Sequence, residues 1–336
     1  MTNEYNSAAQ LLCVQLGAPA DVVMCTPALR ALRAQCSGRR VTLLASHAGA
    51  ALAPCLPDID AVLAYAAPWM NDGDGPSHLA WIAALAAHGF DGAVIFTSER
   101  ESALPAALLC QLAGIPLRAG WCREHPGGLL THSILDPEPG AMRRHPVQRQ
   151  LDLVRRLGAQ IADERLAFVP LEQDVLAVRT RLQAAGIDPG ERWLALHPGA
   201  GAQARRYPLQ HWSALIGMLH ARVKCPLVLT GSARDLALMD AIDLPPGARI
   251  HSVAGQGEIG ELGALLAQAA LVVSNSQATA QLAAAVATPA IDLGELCGDV
   301  DRHDCLERLT PTRVADTVCT LLKRTGADRI RDVVPA

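Results

Sequence analysis

The chain has 336 residues, half of them hydrophobic, with a net charge of −4 and a pI near 6.2. A length beyond about 250–300 residues points to two cores rather than one. The mildly acidic balance, with aromatics at only 3%, excludes a general nucleic-acid binder.

No apolar stretch reaches the ~20 uncharged residues of a membrane span, and no basic n-region precedes the first apolar run. A cytoplasmic protein, peripheral at a membrane at most, is expected. The ten cysteines are scattered, mostly in apolar runs, with no C-x-x-C pair, and read as reduced core residues. Cys297, His303, Asp304 and Cys305 lie close together but fit no zinc spacing, so no metal is expected.

Residues 11–16 form the first strand-like run, and Gly17-Ala-Pro-Ala-Asp21 is the turn after it. The helix that follows has an apolar face including Val22, Cys25, Leu29 and Leu32. It either starts at Asp21 with a kink near Pro27, or starts afresh with Thr26 as N-cap and Pro27 as its first residue. In both cases Asp21 stands where a strand's carboxyl end meets a helix start, where open parallel sheets carry their active residues. Strand-like 41–45, helical 48–56 and strand-like 61–64 continue the alternation, followed by a loop over 71–76, helical 78–88 and strand-like 93–96. Residues 97–102 lead into an alanine-leucine helix ending near Gly114.

Residues 118–150 are less regular and hold Arg118, Arg123, Arg143, Arg144 and Arg149. Two readings stay open there: solvated arginines, or a basic loop facing an acidic acceptor, with Arg100, Arg123 and Arg143 as its contacts. Residues 148–157 read as a helix and 162–174 as the connection between domains.

After helical 175–185, strands are expected over 193–197, 226–230, 250–253, 271–274 and 290–293, with helices between them. The stretch 193–212 joins a buried strand, Gly199 and Gly201, Arg205 and Arg206, and a helix start. Free backbone N–H groups, a helix N-terminus and two guanidinium groups make an anion cradle suited to phosphate or pyrophosphate. The alternative is an ordinary strand-to-helix turn with two solvated arginines. Residues 11–34 and 193–222 open alike, which implies an α/β chain of two Rossmann-like, doubly wound domains facing a cleft.

Taken together, the sequence resembles glycosyltransferase family 9, the bacterial heptosyltransferases of the lipopolysaccharide inner core. The resemblance rests on Leu16-Gly-Ala-Pro-Ala-Asp21 with Thr26-Pro-Ala-Leu-Arg-Ala-Leu32, on 145–157, and on His197-Pro-Gly-Ala with Arg205-Arg-Tyr-Pro208. Thr230-Gly-Ser232, Leu282-Ala-Ala-Ala285 with Thr288-Pro289, and the 305–310 stretch complete it in order.

The resemblance implies a GT-B fold with an acceptor-side domain over 1–165, a nucleotide-sugar domain over 166–312, and a helix over 313–330 packing back on the first domain. It further implies inverting, metal-independent transfer of a heptose from ADP-heptose to a glycan or lipid A-linked acceptor, with no cofactor. Such an enzyme is cytoplasmic, with peripheral contact at the inner membrane. Asp21 matches the family's aspartate, a general base for the acceptor hydroxyl. Backbone N–H groups near Ala200 and Gly201, together with Arg205 and Arg206, would neutralise the departing diphosphate. Asp21 also fits a plain helix-capping role.

One motif departs from the family. Where an Asp-Ser/Thr-Gly-Pro-x-His run is usual, this chain has Ser276-Gln277-Ala278-Thr279-Ala280-Gln281. Backbone N–H groups at that helix start still suit a phosphate, while Ser276 and Gln281 offer neutral hydrogen bonds instead of charge and imidazole. Two functions follow: a transferase with an altered donor, or a degenerate family member acting as a binding or assembly subunit.

Overall fold

The computed structural model describes residues 4–70, 78–138, 144–188, 190–201, 206–297 and 305–324. It divides into two compact units, Met1–Phe168 and Val169–Ala336.

In the first unit six strands form one parallel sheet: β1 (Gln10–Gln15), β2 (Arg40–Ala45), β3 (Ala61–Ala64), β4 (Gly92–Ile95), β5 (Leu117–Cys122) and β6 (His132–Leu135). Their order is β3-β2-β1-β4-β5-β6. The chain winds outward from β1 in one direction, then crosses back to β4 and winds in the other. The helices are α1 (Pro19–Gln35), α2 (His47–Ala50), α3 (His78–Ala86), α4 (Leu104–Leu112) and α5 (Pro146–Arg156). Alternate residues of β1 serve the two faces. Leu11 and Cys13 join the core under α1 and α5, whereas Leu12 and Val14 join the one under α3 and α4. A strand covered on both sides must be apolar throughout, which is why β1 reads as a continuous run.

α1 is one helix with Pro27 inside it, so the fresh start at Thr26 is not used. Proline removes the N–H that would bond the Val23 carbonyl. The Thr26 hydroxyl donates to that carbonyl instead, at 2.8 Å, and accepts the Ala167 N–H at 3.0 Å.

Residues 118–150, expected to be less regular, contain most of β5, all of β6 and the start of α5. The cause is arginine inside regular structure. Arg118 sits within β5, buried, and donates to the carbonyl oxygens of Leu129, Ile115 and Gly128 at 2.6, 2.5 and 3.3 Å. Polarity here marks internal hydrogen bonding and not a solvated loop.

The second unit holds β7 (Leu194–His197), β8 (Leu227–Leu229), β9 (Ile250–Ser252), β10 (Leu271–Ser274) and β11 (Ala290–Asp292), all parallel, in the order β11-β10-β7-β8-β9. Its helices are α6 (Glu172–Ala184), α7 (Leu209–Arg222), α8 (Leu236–Asp240), α9 (Ile259–Gln268), α10 (Gln277–Ala285), α11 (Leu293–Cys297), α12 (Cys305–Arg308) and α13 (Pro311–Arg324). Trp212, Leu215, Ile216 and Leu219 of α7 pack on Leu194, Leu196, Leu271 and Val273.

The stretch expected to pack back on the first domain contains α13, which buries Val314, Ala315 and Val318 in the second unit's own core and packs along α7. One expectation is corrected here. Cys297 and Cys305, read as reduced, are paired as a disulfide where α11 meets α12, with Cα atoms 6.0 Å apart, while the other eight cysteines are in no disulfide. His303 and Asp304 lie outside the described residues.

Candidate active site

Each sheet reverses its winding at one place, and the loops leaving the strands there open a crevice at their carboxyl ends. In the first unit that place is between β1 and β4. The loop after β1 carries Gly17 to Ala18 into the first turn of α1, where Asp21 is the third helical residue. Asp21 and Ala18 bond reciprocally: the Ala18 N–H donates to Asp21 Oδ2 at 2.9 Å, and the Asp21 N–H donates to the Ala18 carbonyl at 2.9 Å. The Gln15 Oε1 accepts the Gly17 N–H at 2.9 Å, and the Ser46 hydroxyl donates to the Gly17 carbonyl at 2.9 Å. The turn is thus held from its own strand β1 and from the end of β2.

Burial raises the Asp21 carboxyl above the ordinary aspartate value. The bond from Ala18 opposes that rise, and the negative charges of Glu101 and Glu99 add to it. Both glutamates come from the loop after β4, across the switch point. A cavity of about 290 Å³ opens between the two loops, with Gln15, Gly17, Trp69, Thr97, Arg100 and Glu101 in its wall.

That second loop is anchored from behind by α5. The Arg149 Nε and Gln150 Nε2 donate to the Thr97 carbonyl at 2.9 and 3.1 Å, and the Arg149 Nη2 donates to the Ser98 carbonyl at 3.3 Å. Arg149 also pairs with Asp136 at 2.8 Å and Glu138 at 2.6 Å. Arg144 joins the same carboxylates and lies 4.5 Å over the Trp121 ring. Burial alone would raise Asp136 and Glu138. The bonds from Arg149, with a backbone N–H on each carboxylate and Arg144 on Glu138, outweigh it and hold both carboxyls below their usual range.

Of the arginines proposed for an acidic acceptor, Arg100 is exposed, lines the cavity and pairs with Glu99 at 3.5 Å. Arg123 spends its Nη1 on the Glu99 and Glu138 carbonyls at 2.6 and 3.3 Å. Arg143 lies outside the described residues.

In the second unit the switch point is between β7 and β10, whose ends are in register at His197 and Ser274. The glycine turn with half-buried Ala200 and exposed Gly201 leaves β7, and Ser276 to Gln281 leave β10. Asn275 fastens the two together: its N–H donates to the His197 carbonyl at 2.9 Å, and its Oδ1 accepts the Tyr207 N–H at 2.8 Å. Ser276 is the N-cap of α10, its hydroxyl facing the Thr279 N–H at 3.5 Å. Gln277 and Ala278 are exposed at that helix start, Thr279 is buried, and Gln281 lies a turn further on, half-buried.

Arg206 is half-buried, its Nη2 3.7 Å from the Asp235 carboxylate, and its buried Nε has no partner among the described residues. Arg205 lies outside the described residues. His197 Nδ1 is 2.9 Å from the Thr230 hydroxyl, and burial lowers its pKa to about 4 against the pull of Asp235.

Glu101, Thr97, Asn275 and Asp235 are site residues that the sequence reading missed. Each follows a strand end, but which strand ends are neighbours is a property of strand order. Among the described residues no group of three His, Cys, Asp or Glu side chains is placed to hold a metal ion, and no helix is long and apolar enough to cross a membrane.

Comparison with known proteins bears on this arrangement. The family model described as glycosyltransferase family 9 (heptosyltransferase) matches residues 75–293, more than half of the chain. That match covers the second switch point and begins after Asp21. No curated protein sequence matches the chain. Among solved structures, the glycosyl transferase family 9 protein from Veillonella parvula superposes with a TM-score of 0.79 at 15% identity, over 96% of this chain and 100% of that one. The E. coli ADP-heptose lps heptosyltransferase II gives 0.73 at 21% identity, over 95% and 100%. E. coli heptosyltransferase WaaC with ADP gives 0.68 at 16% identity, over 95% and 99%. The fold is GT-B, built from two Rossmann-like units, and the chain belongs to glycosyltransferase family 9, the heptosyltransferase family.

Proposed function

We propose that the chain is an inverting glycosyltransferase that moves a heptose or a related sugar from ADP-heptose or a similar nucleotide sugar to a glycan acceptor, with Asp21 as general base. The observation that carries this reading is the position of Asp21. It stands at the switch point of the first sheet, packed against Gly17 of a cavity wall, with its carboxyl raised by burial and by Glu101 and Glu99. A carboxylate made more basic in this way is better matched to taking a proton from a hydroxyl.

In the reaction, the acceptor oxygen loses its proton to Asp21 and attacks the anomeric carbon from the face opposite the diphosphate. The bond to the diphosphate oxygen breaks, and the anomeric configuration inverts. The negative charge released there is met by the turn at Ala200 and Gly201, by Arg205 and Arg206, and by the N-terminal turn of α10 from Ser276 to Thr279. That α10 begins at the switch point with exposed Gln277 and Ala278 supports donor binding despite the changed side chains. Charge is neutralised by protein groups in this reading, so transfer is expected to survive chelation. The choice of ADP-heptose draws on the names of the two E. coli neighbours. A lipid A-linked acceptor would bring the enzyme to the cytoplasmic face of the inner membrane as a peripheral protein.

The test is release of ADP from ADP-heptose in the presence of acceptor glycans, for wild type and Asp21→Asn, beside calorimetric titration with ADP. Transfer lost in Asp21→Asn with ADP affinity unchanged is the expected result. Full activity in that variant overturns the assignment of the base. Failure of any nucleotide to bind overturns the donor site.

A further inference from the structure

The first-unit cavity is a poor match for the acidic acceptor that its arginines would suggest. We infer that it takes an uncharged, hydroxyl-rich pyranose ring, seated against Trp69 and hydrogen-bonded by Thr97 and Glu101. This rests on the reading of the first unit as the acceptor side.

Three features carry the inference. The first is the charge around the cavity. Glu101 lines it, and Glu99 and Asp21 stand close enough for both glutamates to act on the Asp21 carboxyl. Against Glu101 in the wall and the other two carboxylates nearby, the described wall residues offer one arginine, Arg100, which already pairs with Glu99. Arg123, whose Nη1 reaches the Glu99 carbonyl, is committed to backbone carbonyls. A phosphate or carboxylate on the ligand would meet net negative charge in a partly desolvated crevice.

The second feature is the wall itself. Trp69 and Met70 line the cavity, and Trp69 leans on Tyr65 with ring centroids 6.0 Å apart. An indole face accepts the apolar C–H face of a sugar ring, whose hydrogens carry slight positive charge, and it gives nothing to an anion. The third is an unmet hydrogen bond. Thr97 is 5% exposed and lines the cavity, and its Oγ1 has no partner among the described residues. A buried hydroxyl left so costs stability unless a ligand completes it, and a hydroxyl serves a sugar equally as donor and acceptor.

The test uses the full chain and saturation-transfer NMR with methyl glycosides of mannose, glucose, galactose and a heptose, each beside its phosphorylated counterpart. At least one neutral glycoside is expected to bind, with a preference over its phosphorylated form of at least about tenfold. Trp69→Ala should abolish that binding, and Glu101→Gln should shrink the preference severalfold without abolishing it. Equal or tighter binding of the phosphorylated sugars, binding indifferent to Trp69→Ala, or no binding of any glycoside overturns the inference.

ADP release with the same glycosides as acceptors separates this inference from the transferase reading. Faster release with phosphorylated acceptors sinks the inference and leaves the transferase intact. No release with any acceptor, alongside retained neutral binding, leaves the inference standing as a carbohydrate site and sinks the transferase.

Discussion

Gly17 lacks a side chain where Asp21 needs the room: a Cβ at position 17 would lie 2.6 Å from Asp21 Oδ2 and 3.0 Å from the Gln15 Oε1. The carboxylate and the turn that precedes it share one small volume. Gly17→Ala is therefore expected to displace Asp21 and to lower kcat at least tenfold, about 1.4 kcal/mol in transition-state stabilisation. ADP affinity, a property of the second unit, should not change. Steady-state kinetics beside ADP titration checks this.

The acid limb of activity should report Asp21. The base works as a carboxylate, and its pKa is raised by burial, by Glu101 and by Glu99. Activity should thus fall, as pH drops, at a pH above the ordinary aspartate range. Removing one of the raising charges with Glu101→Gln should move the limb to lower pH, and a pH profile of kcat/KM measures the shift.

Arg149 holds two buried carboxylates and the loop that forms the cavity wall. Arg149→Ala leaves Asp136 and Glu138 with one cation fewer, and the expected loss is about 3–5 kcal/mol. Because both carboxyls sit below their usual range in the folded protein, the stability that they contribute is present at neutral pH and is lost as pH falls through those depressed values. Denaturant unfolding of wild type and variant across acidic pH should show the wild-type advantage shrinking toward low pH.

His197 gives the second unit its own acid sensitivity. It is buried and neutral, with a pKa lowered to about 4 from 6.5. The unfolded chain therefore binds a proton first as pH falls, and stability declines between about 6.5 and 4 by up to about 1.4 kcal/mol per pH unit. His197→Gln should flatten that slope, read from unfolding followed by the fluorescence of Trp193 and Trp212.

Gly199 is as tightly placed as Gly17. A Cβ there would sit 2.7 Å from the Asp235 carboxyl carbon. Asp235 accepts the Ser232 N–H and hydroxyl at 3.0 and 2.6 Å, so it cannot swing away without breaking that loop. Gly199→Ala is expected to shift the turn carrying Ala200 and Gly201 and to weaken ADP binding at least about tenfold, a difference of about 1.4 kcal/mol that calorimetry resolves.

Much of the fold was legible because each strand is a short apolar run between helical ones. Residues 61–64 and 271–274 coincide with β3 and β10, and the other expected strands differ by a residue or so at their ends. The alternation of strand and helix could only be satisfied by parallel sheets covered on both faces. β5 escaped because Arg118 is its second residue, and a pattern argument counts an arginine as solvated. Only the folded backbone brings the Leu129, Ile115 and Gly128 carbonyls around its guanidinium.

That Asp21 follows a strand and opens a helix, and that a glycine turn follows β7, could be read from the residues in order, since both are local facts of composition and spacing. What faces them depends on how the strands are arranged in each sheet. The Glu101 charge acts on Asp21, and Asn275 reaches the His197 carbonyl and Tyr207 N–H, because β1 lies beside β4 and β7 beside β10. Strand order is set by how all the helices pack on a sheet at once, and no local run of residues carries that information.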